Sequence, residues 1–296
     1  MLNFALYAIT VAIWGSTWLV ITFQISDCAP TVAVAWRFLL ACLILLGWCA
    51  LRRISLRFPA RDYALILVQG LANFAFNYWM VYLAEARIPS GLVAVIFTLL
   101  LVFNMVGARL LFGQTIGRRG AIGALCGMLG VALVFWPELS RFESGAQAWW
   151  GLGFCLAATA FSSVGNLLSV ETQKRAIGVI PTITIGMGAG GLCMLLVALL
   201  SGESIAIPMT AKFLWSLVYL SLFGSVIAFA AYLTLIGRVG AGRASYNGVL
   251  IPIVALLLST FFEGYRWQAA SVAGVALSLL GNVLVMQGKT RSRTSA

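Results

Sequence analysis

The residues able to do chemistry lie where they cost most, inside apolar runs. Between positions 73 and 85 the chain carries Asn73, Asn77, Tyr78, Tyr82 and Glu85. Spaced three to four apart, these side chains share one broad face of a helix. A second run places Thr159, Ser162, Ser163, Asn166 and Ser169 together. Tyr232, and then Ser245, Tyr246 and Asn247, add donors and acceptors, while Trp14 and Trp18 present an aromatic face near the N-terminus. These types bind and do not react. They suit a neutral cavity that hydrogen-bonds a small zwitterion and packs rings against its side chain. The competing use is glue between membrane helices, at about 0.6 kcal/mol per bond. The serines and threonines fit glue better, whereas the cluster of Asn77, Tyr78 and Tyr82 fits a cavity. The residues expected to contact substrate are Trp14, Trp18, Asn73, Asn77, Tyr78, Tyr82, Ser163, Asn166, Tyr232, Tyr246 and Asn247.

What is missing narrows the chemistry further. The chain has no histidine, and Glu85, Glu171 and Glu263 all stand at the ends of apolar runs. A cation/proton antiporter with a mid-membrane carboxylate is therefore disfavoured, and solute movement is expected to persist without a pH gradient. Paired basic groups for a phosphorylated sugar are absent. So is a nucleotide-binding P-loop, which removes ATP as the direct driver and leaves no cofactor to expect. A membrane-embedded enzyme would want a histidine, paired carboxylates or a metal cluster, so no enzyme is expected. Arg37, inside the second run, has several readings: snorkelling to the interface, pairing with a carboxylate, a fixed structural bond or, less favoured, a substrate carboxylate.

The elements that must position these residues follow from composition. Of 296 residues, 62% are hydrophobic and 9% charged, with a mean hydropathy of +1.02. That leaves too little polar surface for a soluble globule. The apolar runs lack the two-residue alternation of a barrel and reach the roughly 20 residues of a membrane-spanning helix. Ten spans are predicted: Leu2–Phe23, Pro30–Leu51, Tyr63–Tyr82, Ser90–Leu111, Gly120–Trp136, Trp149–Val170, Pro181–Leu200, Ala211–Ile236, Arg243–Phe262 and Gln268–Gln287. Met1-Leu2-Asn3 carries no charged side chain and further spans follow, so the first is not read as a cleaved signal. The six cysteines lack metal-ligand spacing and read as small buried hydrophobes.

Charge sets the orientation. Arg52, Arg53, Arg57, Arg61, Arg118, Arg119, Lys174, Arg175, Arg238 and Arg243 fall in connections on the N-terminal side, joined by Lys289, Arg291 and Arg293 of the tail. The other side has Arg87, Arg141, Lys212 and Arg266. The positive-inside rule then predicts a multi-pass protein of the bacterial inner membrane with both termini cytoplasmic. The net charge of +11 is explained by topology and anionic lipid. Nucleic acid is not expected as a partner, because the basic residues form no single groove. The partners implied are a small-molecule substrate and the bilayer.

A repeat organises the whole chain. Residues 122–135, IGALCGMLGVALVF, return as AGVALSLLGNVLVM at 273–286, with five identities in fourteen positions. Five spans per half is an odd number, so the second half must enter the membrane inverted, an arrangement that recurs in secondary transporters. The expected fold is all-α: a five-helix repeat over 1–136, a connecting loop at 137–148, an inverted repeat over 149–287 and a basic tail at 288–296, around a central cavity. Gly123, Gly127 and Gly130, with Gly274, Ser278 and Gly281, form small-residue faces suited to helix packing or to a homodimer through the fifth and tenth helices.

Trp14-Gly15-Ser16, Pro30, Arg37-Phe38-Leu39-Leu40, Pro252, Glu263 and the glycines of the fifth and tenth spans occur in a telling order. Together they resemble the drug/metabolite transporter superfamily, specifically the EamA family of ten-helix carriers, over essentially the whole chain. The resemblance implies a cavity lined mainly by the first, third, fourth, sixth, eighth and ninth helices, and a relation to exporters of amino acids and similar metabolites. Two positions depart from the pattern. Gln114 stands where the family often has Glu, and Phe103 aligns with Pro252, so a bend in the fourth span would need a cause other than proline.

Overall fold

A computed structural model describes residues 2–141, 146–239 and 247–287, and among them the regular elements are helices. They are α1 (Leu2–Ile25), α2 (Pro30–Leu51), α3 (Ala60–Glu85), α4 (Ser90–Phe112), α5 (Arg118–Arg141), α6 (Ala146–Lys174), α7 (Val179–Leu200), α8 (211–239), α9 (Asn247–Phe262) and α10 (Ala269–Gln287). Pro30 opens α2 at a position where its missing N–H costs nothing. Gly113 closes α4 in the left-handed region at φ +63°, its N–H returning to the last turn.

The apolar runs do not fully mark the helices. α5 continues to Arg141 and α6 already begins at Ala146, so most of the expected loop at 137–148 is helical. Hydropathy reports where contact with lipid ends, and a helix can continue past that point. Leu43, Leu110, Leu192, Leu196, Trp215 and Phe261 point outward. In water such a surface would aggregate; in a bilayer it is solvated. Trp149 and Trp150, at the start of α6, are exposed in the manner of interfacial anchors. The chain is a multi-pass membrane protein.

Three contacts fix the bundle. α2 packs along α7, where a Cβ on Gly191 would meet the Leu39 nitrogen at 2.9 Å. α3 crosses α7 at Gly70 and Gly186, so closely that a Cβ on Gly70 would lie 2.4 Å from the Gly186 Cα. α5 and α10 make the most extensive helix pair among the described residues. There a Cβ on Gly130 would meet the Ser278 nitrogen at 2.4 Å, and one on Gly281 the Gly123 oxygen at 2.5 Å. The small-residue faces therefore meet each other within one chain. A dimer through these helices would have to use their leucine-bearing outer faces.

Regular helix is interrupted in four of the helices that line the interior space. α3 is π-helical over Leu71–Phe76, and α8, its counterpart in the second half, over Tyr219–Ile227. α4 tightens to a 3₁₀ turn at Phe97–Leu99, which supplies the non-proline irregularity that Phe103 left open. α9 carries Pro252 within its helix. Such interruptions free backbone groups and re-aim side chains.

Candidate functional site

The four interrupted helices, with α1, α6 and the start of α7, enclose a cavity of about 450 Å³. Aromatic rings line part of it. Trp14 packs against Tyr232 at 5.1 Å and Phe229 at 5.2 Å, and Trp18 against Phe97 at 5.4 Å. The Trp14 Nε1–H donates to the Gly224 carbonyl at 3.1 Å, which fixes the ring on the π-helical segment of α8. Carboxamides line it as well: Gln69, Asn73, Asn77, Asn104, Asn166, Gln173 and Asn247. No charged side chain lies among the described residues of the wall.

Among the described residues, Asn77 Oδ1, Asn104 Oδ1 and both side-chain heteroatoms of Asn247 are buried without a hydrogen-bond partner. An unmet buried donor or acceptor costs about 1–3 kcal/mol, so a wall built this way is completed by a bound solute or water. The cavity runs to Gln173 and Ile177 at the α6–α7 connection, on the side of the N-terminus. A second space of about 580 Å³ shares Asn104, Asn166 and Val170 with it and ends at Phe112, Gln114 and the exposed Lys174. Access is thus from the face bearing the basic loops. At the far end Gln24, Tyr82 and Glu85 are buried.

Trp14, Trp18, Asn73, Asn77, Tyr78, Asn166, Tyr232 and Asn247 lie on the wall. Tyr82 and Ser163 do not. Tyr82 is 0% exposed and donates its hydroxyl to Gln24 Oε1 at 2.7 Å. Ser163 is buried beside Gly107 of α4, and its neighbour Ser162 takes the wall position. Tyr246 lies outside the described residues. Sequence reasoning missed Gln69, Thr98, Asn104 and Gln173. Gln69, Thr98 and Asn104 are each a lone polar residue inside an apolar run, a signal as good as the one used for Asn73, whereas Gln173 sits in a polar stretch and carried no such signal.

Arg37 neither reaches the surface nor forms an ion pair among the described residues. It is 1% exposed, donates from Nε to Ser225 Oγ at 3.3 Å, and lies over the Tyr78 ring at 4.4 Å. Of its alternatives, the fixed structural bond is the one present. The guanidinium holds the ring that the cavity uses.

A family model described as the EamA-like transporter family matches residues 2–136 and 149–287. The chain belongs to the EamA-like transporter family. An Escherichia coli protein named as an uncharacterized inner membrane transporter, YedA, is 30% identical over 291 residues, covering 97% of this chain and 90% of that one. A Bacillus subtilis protein named as an uncharacterized transporter, YdfC, is 25% identical over 95% of this chain and 88% of its own. A solved crystal structure superposes with a TM-score of 0.69 over 95% of each chain at 18% identity, which shows the fold. The helices lining the cavity of this EamA-like chain are the six that the resemblance implied, with α7 in addition.

Proposed function

We propose that the protein is a secondary carrier of small neutral metabolites, amino acids foremost, that works by alternating access. One observation carries this reading: an uncharged cavity whose wall pairs aromatic rings with the unpartnered carboxamides of Asn77, Asn104 and Asn247. A zwitterion offers both donors and acceptors, and Asn247 presents an unused one of each. The rings take an apolar or aromatic side chain. Residues 1–136 and 149–287 act as inverted repeats that exchange conformations, with both termini cytoplasmic. The positive-inside count supports that orientation, and it makes the present state open to the cytoplasm. Export as the working direction is supported by the family resemblance alone.

Uptake of a labelled amino-acid panel into proteoliposomes tests the reading. Saturable flux of neutral amino acids, competed by other neutral ones, is expected. Flux confined to nucleosides or hydrophobic drugs would replace the substrate class, and absence of flux for every solute would leave a non-transporting scaffold.

A further inference from the structure

The end of the cavity away from the mouth is sealed by a buried polar layer drawn from five helices. Gln24 of α1 accepts from Tyr82 of α3, and Arg37 of α2 reaches Ser225 of α8. Glu263, just past α9, accepts from the Ser90 backbone N–H at 3.2 Å and from its hydroxyl at 2.5 Å. These bonds place its carboxylate on the N-terminus of α4, where the free N–H groups and helix dipole favour negative charge. Gln24 Nε2 and Arg37 Nη1 each lack a partner among the described residues, but Glu85 has no hydrogen bond at either carboxyl oxygen and is 8% exposed.

Glu263, Arg37 of α2, Cys155 of α6 and Tyr82 on its own helix act on Glu85 electrostatically. None is within ion-pair distance of it among the described residues. A buried carboxylate without a hydrogen bond is far costlier than the neutral acid, and two neighbouring carboxyls cannot both ionise cheaply. Glu263 is engaged by Ser90 through both oxygens, so Glu85 is the carboxyl left without a bond among the described residues and the member able to carry a proton. The expectation of uncoupled transport rested on Glu85 standing at the end of an apolar run. Here Glu85 itself is buried, although Ala86 beside it is exposed.

We propose that Glu85 binds the proton whose movement drives the solute, in the seal and not in the cavity. This deepens the carrier reading and rests on it. The step is a proton transfer between water and one carboxyl oxygen, with no other bond changed. Sealing the layer leaves Glu85 neutral; opening it to water lets Glu85 ionise near Arg37.

Full-length protein in liposomes, with Glu85→Gln, Glu85→Asp and Glu263→Gln, tests this in two ways. Infrared difference spectra between acid and alkaline buffer should show the carbonyl band of a protonated carboxylic acid, shifted in heavy water. The band should vanish in Glu85→Gln and remain in Glu85→Asp and Glu263→Gln. With an imposed gradient of one pH unit, one-for-one coupling can hold about a tenfold solute gradient; the wild type should approach it, and Glu85→Gln should only equilibrate. A band unchanged in Glu85→Gln, its loss in Glu85→Asp as well, or wild-type flux that equilibrates regardless of the gradient would each overturn the proposal. If the band behaves as expected while no solute moves, the proton site stands and the carrier reading falls.

Discussion

Tyr78 and Tyr82 stand one turn apart on α3, yet they do different work. Tyr78 has its ring on the cavity wall and its other contacts on Arg37 and Phe38. Tyr78→Phe keeps the ring, the cation–π contact and the packing, and removes only the hydroxyl. Losing one hydrogen bond to a neutral solute costs about 0.5–1.5 kcal/mol, so KM should rise by up to about tenfold with thermal stability unchanged. Tyr82→Phe should do the reverse, because it strips Gln24 Oε1 of its buried donor. Unfolding in detergent should come earlier by about 1–3 kcal/mol, with KM unmoved. A fall in flux that tracks folded protein for both variants would dissolve the distinction. The polar face of α3 was legible in the sequence; which part of it meets a cavity and which meets Gln24 was not. Spacing shows that a face needs polar company, not whose. The π-helical segment at Leu71–Phe76 also shifts the phase between Asn73 and Tyr78, which a wheel of 3.6 residues per turn cannot register.

At the scale of elements, the packing glycines carry the strongest demand. A side chain at Gly130 would collide with the backbone of α10 at 2.4–2.8 Å, whereas Gly153 on α6 has nothing within 4 Å. Gly130→Leu should therefore cost at least about 3 kcal/mol of stability, at or beyond the usual range for overpacking. Gly153→Ala should be neutral or stabilising by up to about 1 kcal/mol, the helix-propensity difference. Melting curves in one detergent compare them directly, and equal melting temperatures would contradict the close approach. The glycine repeat was readable in the sequence because residues 122–135 and 273–286 share it. That the two copies pack on each other was not readable, since a small face is equally suited to a second chain. The interruptions in α3, α4 and α8 were invisible as well: no proline or glycine pair marks Phe97–Leu99 or Leu71–Phe76.

For the molecule as a whole, the sealed side is latched at its surface. The α1–α2 connection is tied to the stretch before α8 by Asp27 accepting from the Thr210 hydroxyl at 2.6 Å and by Lys212 donating to Ser26 at 2.9 Å. Thr31 is bonded to Glu203 nearby. The hydrogen bonds from Thr210 and Ser26 hold the Asp27 carboxyl below its ordinary value of 3.8, with Lys212 adding to the effect. A carboxyl lowered on folding stabilises the fold above its unfolded pKa and loses that contribution as pH falls through its folded one. Wild type should therefore melt above Asp27→Asn at neutral pH, and the gap should close below a pH of about 4. A gap constant across that range would mean the carboxylate charge is not what holds the latch.

The backbone contact between α5 and α10 has a mechanical side. Gly130 meets the Ser278 backbone and Gly123 the Gly281 carbonyl directly, so the pair has little soft layer to shear at these points. Any rocking of one half against the other must leave this line nearly still, as an axle does, and displacement must grow with distance from it. The other helices would ride the arms of this lever, while its fulcrum stays joined by glycine.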